Sequence, residues 1–203
     1  MDFALPSRPV SVSLISGKGH YESIIEPLAS AQRSIWIATA NLKELMVADE
    51  RVRPGRSRTR SKRNFRSVLE VMNELAERGV ELRILHARLP SRAFRDALDR
   101  YPRLWKGGLR LRMCPRVHMK TVIVDGIRLY FGSANWTGAG LGAKGEHRRN
   151  FELGVVTEDE IWLDAVQALY EHVWSGGACG ECRLRKECEA PLDLCNEDQS
   201  PPP

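Results

Sequence analysis

Two short apolar segments on either side of Asp125–Gly126 constrain the fold of this chain more than any other feature. One runs from Lys120 to Val124 and the other from Arg128 to Gly132, and both have the character of buried strands. An Asp-Gly pair between such segments is a strong signal for a tight β-hairpin. The two strands must then be antiparallel neighbours, so a purely parallel sheet is excluded.

Periodicity predicts the other elements of an α/β protein. The predicted strands are 10–15, 34–40, 80–86 and 109–113, with a last one at 151–157, and the predicted helices are 20–32, 64–78, 91–100 and 158–174. The order β-α-β-α-β-α-β-β-β-β-α predicts an α/β sandwich in which helices flank a mixed β-sheet. A length of 203 residues suits one such domain with a small appendage.

Neither a membrane span nor a secretory signal is visible in the sequence. No apolar run reaches the roughly 18–20 residues that cross a bilayer. Residues 1–19 lack a basic segment followed by an apolar stretch and a cleavage site. We therefore expect a cytoplasmic protein without stable membrane insertion.

The stretch 117–137, which reads VHMKTVIVDGIRLYFGSANWT, concentrates polar residues around the predicted hairpin. It contains His118-x-Lys120, then four residues and Asp125, and further on Gly132-Ser133-Ala134-Asn135. Side chains two positions apart on a strand share a face, so His118 and Lys120 are expected to point the same way. Asp125 has the opposite parity to His118. Parity alone places it away from the reacting groups unless the turn redirects it.

The same spacing predicts that two neighbouring strands contribute to one place. Ser133 and Asn135 share a face at the end of one strand, and Asn150 and Glu152 share a face at the start of the next. Imidazole, ammonium, hydroxyl, amide and carboxylate groups would then converge. A structural role for His118 and Lys120 on a strand does not account for so many convergent polar groups.

Phosphodiester transfer needs such a set of groups. The neutral imidazole of His118 can attack phosphorus and form a phosphohistidine, and a second imidazole is suited to protonating the leaving oxygen. Lys120 and Asn135 can hold the non-bridging oxygens. Glu152 can fix the tautomer of His118, while Ser133 can bind phosphate or orient a neighbour.

These residues resemble the HKD motif of the phospholipase D superfamily, with its following Gly-Ser-x-Asn element. The resemblance covers roughly residues 10–174 and implies a phospholipase D-like α/β sandwich whose catalysis needs no cofactor. It implies the following catalytic residues: His118, Lys120, Asp125, Ser133, Asn135 and Glu152. Members of the family usually have two HKD motifs, whereas this chain has one, so it is similar to the short phospholipase D-like endonucleases. These pair two subunits, which implies a homodimer formed through the active-site face.

The positive charge of the chain is concentrated in residues 51–66, which hold seven Arg, one Lys and no acidic residue. Because the whole chain carries +5, the remainder is net −3. Such a strip favours a polyanionic partner, nucleic acid or a lipid surface, although a solvated loop is the alternative. The candidate substrate-binding residues are Arg56, Arg58, Arg60 and Arg63, with Arg148 and Arg149 in a glycine-rich loop.

The sequence thus predicts a metal-independent phosphodiesterase, a homodimeric nuclease that cleaves DNA or RNA through a phosphohistidine. Two alternatives remain. One is a phospholipid phosphodiesterase or phosphatidyltransferase, for which more apolar interfacial surface would be expected. The other is a catalytically idle nucleic-acid-binding subunit, against which the intact His118 and Lys120 argue, because a binding module needs no nucleophile.

Four cysteines fall close together near the end of the chain, whereas Cys114 is isolated in sequence. In a chain without a secretory signal, this cluster indicates metal binding before disulfides. Cys179, Cys182, Cys188 and Cys195 are the predicted ligands of a structural Zn²⁺ or a [4Fe–4S] cluster. The alternative is a disordered tail with incidental cysteines. We expect a catalytic domain over 1–175 and a metal-binding tail over 176–203, disordered at its extreme end.

Overall fold

A computed structural model of the chain describes residues 2–49 and 65–195. A seven-stranded mixed sheet lies at its centre, in the order β1-β9-β8-β7-β2-β5-β6, and a small hairpin pairs β3 with β4. In this part of the chain the strands are β1 Ser13–Ser16, β2 Ser34–Thr39, β3 Met46–Ala48, β4 Phe65–Ser67, β5 Glu81–His86, β6 Arg110–Met113, β7 Thr121–Val124, β8 Arg128–Gly132 and β9 Leu153–Thr157. The predicted mixed sheet is therefore confirmed.

Helices cover both faces of the sheet. Those of the described residues are α1 Lys18–His20, α2 Glu26–Leu28, α3 Val68–Glu77, α4 Arg92–Leu98 and α5 Glu160–Trp174, with π-helical turns at Tyr21–Ile25 and Leu104–Gly108. The larger core lies on the face covered by α2, α3 and α4, where Leu28, Leu69 and Phe94 are fully buried. The second face packs against α5 through Leu163 and Tyr170.

The strand directions determine which strands begin and which strands finish at each end of the sheet. The strands β2, β5 and β6 are parallel to one another, whereas β7 is antiparallel to β2 and β8 is antiparallel to β7 and β9. As a result β2, β5, β6 and β8 finish where β7 and β9 begin. We call this end the site end; it is marked by Thr39, His86, Met113, Thr121, Gly132 and Leu153.

Two elements in the N-terminal half of the chain differ from the sequence prediction. The predicted helix 20–32 is a short helical segment that ends at Leu28 and contains a π-helical turn next to Pro27. Proline has no N–H to donate to the carbonyl four residues earlier, so a regular helix is interrupted there. The predicted helix 64–78 is shorter than expected, because Phe65–Ser67 pairs with β3 and Ser67 then caps α3 by accepting from Leu69 N–H at 3.0 Å.

Asp125 forms the hairpin turn as predicted and also holds the adjacent strand in place. It adopts a positive φ of 56° with Gly126 at 70°. Its carboxylate accepts hydrogen bonds from the backbone N–H groups of Gln32, Arg33 and Ser34, at 2.7–3.0 Å, where β2 begins. Partial burial alone would raise the pKa of Asp125, but these hydrogen bonds, with that from Arg33 the largest, outweigh it and lower the pKa.

We expect Asp125→Asn to lower the free energy of unfolding by about 1–2 kcal/mol at neutral pH, because hydrogen bonds to a charged acceptor exceed those to a neutral one. Asparagine tolerates a positive φ, so backbone strain is not added. A lowered carboxyl pKa stabilises the fold above the unfolded-state pKa of about 3.9, and this contribution is lost as pH falls through the folded-state pKa. Denaturant unfolding from pH 7 to pH 3 should show the two proteins converging.

Asp164 provides the control, because it lies exposed on α5. Asp164→Asn should change the free energy of unfolding little at either pH. A difference between wild type and Asp125→Asn that persists undiminished at low pH would show that the carboxylate charge does not stabilise the turn.

Candidate active site

His118 and Lys120 lie in the loop that leads from β6 into β7, at the site end. They precede β7, which starts at Thr121, so strand alternation does not set their directions. His118 is exposed, while Lys120 is buried with 7% of its surface accessible and donates from Nζ to the His118 carbonyl at 2.7 Å. Burial lowers the pKa of Lys120, and the nearby Glu152 carboxylate opposes that shift. The ammonium group thus stabilises the backbone that carries the imidazole.

Ser133, Glu152 and Asn150 form a hydrogen-bonded group where β8 ends and β9 begins. Ser133 Oγ donates a short hydrogen bond to Glu152 Oε2, and Asn150 Nδ2 donates to Glu152 Oε1 at 3.1 Å. Ser133 Oγ also accepts from the Leu153 N–H at 3.1 Å. Because the Gly132 N–H donates to the Lys120 carbonyl at 3.1 Å, this group is tied to the loop that carries His118.

Asn135 is held by the end of β2 and the residues that follow it. Its Oδ1 accepts from the Asn41 N–H at 3.1 Å. Thr39, which is 1% exposed, accepts from the Trp136 N–H at 2.9 Å and donates to the Asn41 carbonyl at 2.9 Å. With Oδ1 engaged by the backbone, the amide Nδ2 remains available as a donor among the contacts of the described residues.

The structure therefore brings together five of the six predicted catalytic residues at the site end, namely His118, Lys120, Ser133, Asn135 and Glu152. Asp125 is at the opposite end of β7, where its carboxylate binds three backbone N–H groups of the chain entering β2. Asp125 is thus away from the reacting groups, as expected, but because it lies at the other end of β7 and not because of strand parity, since His118 precedes the strand. Thr39 is a positioning residue that was not predicted from the sequence. The pattern that could have identified it is a polar residue at the end of a buried strand.

The structure describes only two of the six candidate substrate-binding arginines. Arg56, Arg58, Arg60 and Arg63 lie outside the described residues. Arg148 is exposed, and Arg149 is half-buried and donates from Nε to the Lys144 carbonyl at 2.7 Å. Both follow a glycine-rich loop that packs on Gly17, since a Cβ at Gly142 would lie 2.3 Å from the Gly17 carbonyl oxygen.

A cavity of about 220 Å³ adjoins His118. It lies between the loop that starts at Cys114, the second half of α5 and the cysteine-containing tail. Burial raises the pKa of the Cys114 thiol, and the nearby Cys179 and Cys182 thiols act in the same direction. Cys114, isolated in sequence, is thus close to the tail cysteines in space. The described residues, all five cysteines among them, contain no group of three His, Cys, Asp or Glu side chains already arranged to hold a metal ion.

Three exposed apolar side chains lie near the start of β9, which Glu152 precedes. Phe151 is fully exposed, and Leu153 and Leu14 are 60% and 72% exposed. Leu14 pairs with Val155, which shares a face with Leu153 and pairs with Phe131. Because Phe131 packs against Trp162 of α5, the two leucines lie on the face of the sheet that carries α5. We call Leu14, Phe151 and Leu153 the apolar rim of the site.

The site contains the chemical groups that nucleophilic displacement at phosphorus requires. An exposed imidazole has the chemistry of a nucleophile, a buried ammonium and a free amide donor are available for phosphate oxygens, and a carboxylate linked to a hydroxyl lies beside them. The fold and the site together define a phosphodiester-processing α/β protein.

Comparisons with known proteins agree with that class. A family model described as the phospholipase D-like domain of cardiolipin synthase matches residues 24–174. The chain therefore belongs to the phospholipase D superfamily. No curated protein matches the chain in sequence.

Several solved structures share the fold. The phospholipase D family member Nuc from Salmonella typhimurium is 18% identical, with a TM-score of 0.55, over 81% of this chain and 95% of that one. NucT from Helicobacter pylori is 16% identical, with a TM-score of 0.54, over 80% of this chain and 94% of that one. Phosphatidylserine synthase from Haemophilus influenzae matches over 81% of this chain and 37% of its own, at 16% identity and a TM-score of 0.50.

Proposed function

We propose that the protein is a metal-independent phosphodiesterase, a homodimeric nuclease that cleaves DNA or RNA through a phosphohistidine on His118. The observation that carries this proposal is the convergence of Lys120, Ser133, Asn135 and Glu152 around the loop that carries the exposed His118. A purely structural role would not leave that histidine exposed at the end of a polar cluster.

The chemistry follows from the positions of these groups. A ring nitrogen of His118 attacks phosphorus, the bond from phosphorus to the leaving oxygen breaks, and an acid protonates that oxygen. Lys120 and the Asn135 amide stabilise the charge on the non-bridging oxygens. Glu152, oriented by Ser133, is available to accept from the other ring nitrogen of His118 and fix its tautomer. Water then hydrolyses the phosphohistidine and regenerates the imidazole.

We assign the acid in this scheme to a second copy of the chain. One imidazole cannot attack phosphorus and protonate the leaving oxygen in the same step. Of the other described histidines, His20 and His86 are buried, and His86 Nδ1 is within hydrogen-bond distance of the Arg88 carbonyl at 2.9 Å. His172 on α5 and the exposed His147 lack the His-x-Lys context of His118. The partner's His118 is suited to this role, and the apolar rim beside Glu152 offers a surface on which two copies would meet.

Nucleic acid is the substrate class favoured by charge. The strip 51–66 carries +8, which suits a polyanionic backbone. Another solved structure with this fold, TrmBL2, described as an archaeal chromatin protein with a novel mode of DNA binding, is 17% identical over 81% of this chain and 52% of that one, with a TM-score of 0.50.

None of the helices within residues 2–49 and 65–195 has both the length and the apolar character of a membrane span.

A phospholipid phosphodiesterase or phosphatidyltransferase is the second candidate. It is favoured by the family model, whose description names cardiolipin synthase, and by the shared fold of phosphatidylserine synthase. The apolar rim beside the site also suits an acyl chain or a lipid surface. The two candidates share the same chemistry at phosphorus and differ in what the surroundings of the site bind.

We expect the pure protein to degrade single- or double-stranded DNA or RNA in EDTA, because imidazole attack needs no metal-activated water. Parallel assays on phosphatidylcholine, phosphatidylglycerol and cardiolipin vesicles, with and without an alcohol acceptor, test the lipid candidate. His118→Ala in every assay is the control for contaminating activity. Strict dependence on added Mg²⁺ or Mn²⁺ would contradict the mechanism, and turnover of lipid alone would replace the substrate class. Tight nucleic-acid binding without any turnover would identify an idle binding subunit.

A further inference from the structure

Four thiols converge on the cavity beside His118, and they are not the four that are clustered in sequence. The cavity is lined by Cys114, Cys179, Cys182 and Cys188, whereas Cys195 is absent from its walls. Cys195 instead lies close to the Pro191 carbonyl, with its Sγ at 3.5 Å from that oxygen. Cys114 comes from the end of β6, more than sixty residues before the tail. The fold therefore supplies one thiol from the catalytic domain and three from the tail.

We propose that Cys114, Cys179, Cys182 and Cys188 bind one structural Zn²⁺, which fastens the tail to the loop that carries His118. Four thiolates are a complete ligand set for tetrahedral zinc, with Zn–S distances of about 2.3 Å. The proposal revises the sequence prediction by exchanging Cys195 for Cys114. It does not depend on the proposed function, because it concerns the tail and not the chemistry at phosphorus.

The backbone of the tail has the form that such a site needs. Its first three cysteines follow a series of tight turns, in which the Cys182 N–H donates to the Cys179 carbonyl at 3.2 Å and the Arg185 N–H to the Cys182 carbonyl at 3.0 Å. These turns bring the thiols at positions 179 and 182 to one side, facing the loop of Cys114. Leu192 packs with Tyr170 and Trp174 of α5, and Cys179 is partly buried against the same cluster.

The thiols must still move together to bind the ion, because no three of them are arranged as ligands in the described residues. The turns of the tail belong to no long helix or strand, so this movement breaks little regular structure. Coupling between metal binding and local ordering is usual for small thiolate sites. The ion would then hold the segment from Cys114 to His118 against α5 and the tail.

The test compares two cysteine variants of the full-length protein. Wild type, Cys114→Ser and Cys195→Ser are purified anaerobically from zinc-supplemented cells, and zinc, iron and protein are measured by elemental analysis. We expect about one zinc per chain in wild type and in Cys195→Ser, and a loss of most of the zinc in Cys114→Ser. Thermal unfolding of each variant, with and without a chelator, should show stabilisation by zinc in the first two only.

A second measurement uses wild type alone, so it does not depend on the folding of a variant. Alkylation with iodoacetamide followed by mass spectrometry should show Cys114, Cys179, Cys182 and Cys188 protected until a chelator is added, while Cys195 reacts. Metal-free wild type, or protection that only a thiol reductant removes, would overturn the proposal, the latter in favour of disulfides. Loss of zinc in Cys195→Ser would overturn the ligand set, and stoichiometric iron with a brown colour would replace zinc by an iron–sulfur cluster.

Discussion

Replacing His118 with alanine is expected to abolish turnover while leaving the fold and substrate binding nearly intact. The variant removes the attacking nitrogen and, in a dimer, the acid as well, so we expect kcat to fall on the order of 10⁴-fold or more. His118 is exposed, and its ring makes no hydrogen bond to any of the described residues. Its loss should therefore change the free energy of unfolding little. Initial rates on nucleic acid in EDTA, together with binding titrations at equal protein concentration, separate chemistry from binding.

Two further observations make this prediction specific to the nucleophile. Acid quenching of wild type during turnover should trap a phosphoryl adduct that maps to His118 by mass spectrometry. The matched control is His172→Ala on α5, which changes another partly exposed histidine outside the group of side chains at the site. Full activity in His118→Ala, or an adduct on another residue, would contradict the mechanism.

The elements of the fold could be predicted where one local signal dominates. The Asp125–Gly126 hairpin follows from two residues that accept a positive φ, and α5 follows from a long amphipathic pattern. In the structure Asp159 caps the start of α5 by accepting from the Trp162 N–H at 3.0 Å. The β3–β4 hairpin was missed, because three-residue strands leave little periodicity to detect. The pairing order of the sheet was also not predicted, since it depends on contacts between residues distant in sequence.

The candidate site was predictable to the extent that its residues fall on one motif. His118, Lys120, Ser133 and Asn135 are within eighteen residues, and adjacent antiparallel strands bring them to one end of the sheet. The motif did not reveal that Asp125 stabilises the start of β2, because that role depends on which backbone groups the carboxylate meets. Cys114 was overlooked for a similar reason: its proximity to the tail arises from packing against α5, which no local spacing encodes.

Mixed dimers of wild-type and His118→Ala subunits are expected to have little activity. If two imidazoles act on one phosphate, a mixed dimer keeps either the nucleophile or the acid. Loss of either lowers the rate at least about 10²-fold. If each chain works alone, the mixed dimer keeps half of the wild-type rate. Differently tagged chains are co-expressed, the mixed species is isolated by two affinity steps, and its initial rate is compared with that of the wild-type dimer.

The apolar rim allows the same hypothesis to be tested without altering the catalytic groups. Phe151→Asp places a charge at the most exposed apolar position beside Glu152, so we expect it to weaken the dimer and lower activity in proportion to the monomer fraction. Ile127→Asp is the matched control, because Ile127 is similarly exposed, at 62%, but lies in the hairpin turn at the opposite end of the sheet. Sedimentation and activity are measured over the same concentration range. A monomer with full activity per chain would refute the requirement for a second copy of the chain, since all the groups needed for both steps would then belong to one chain.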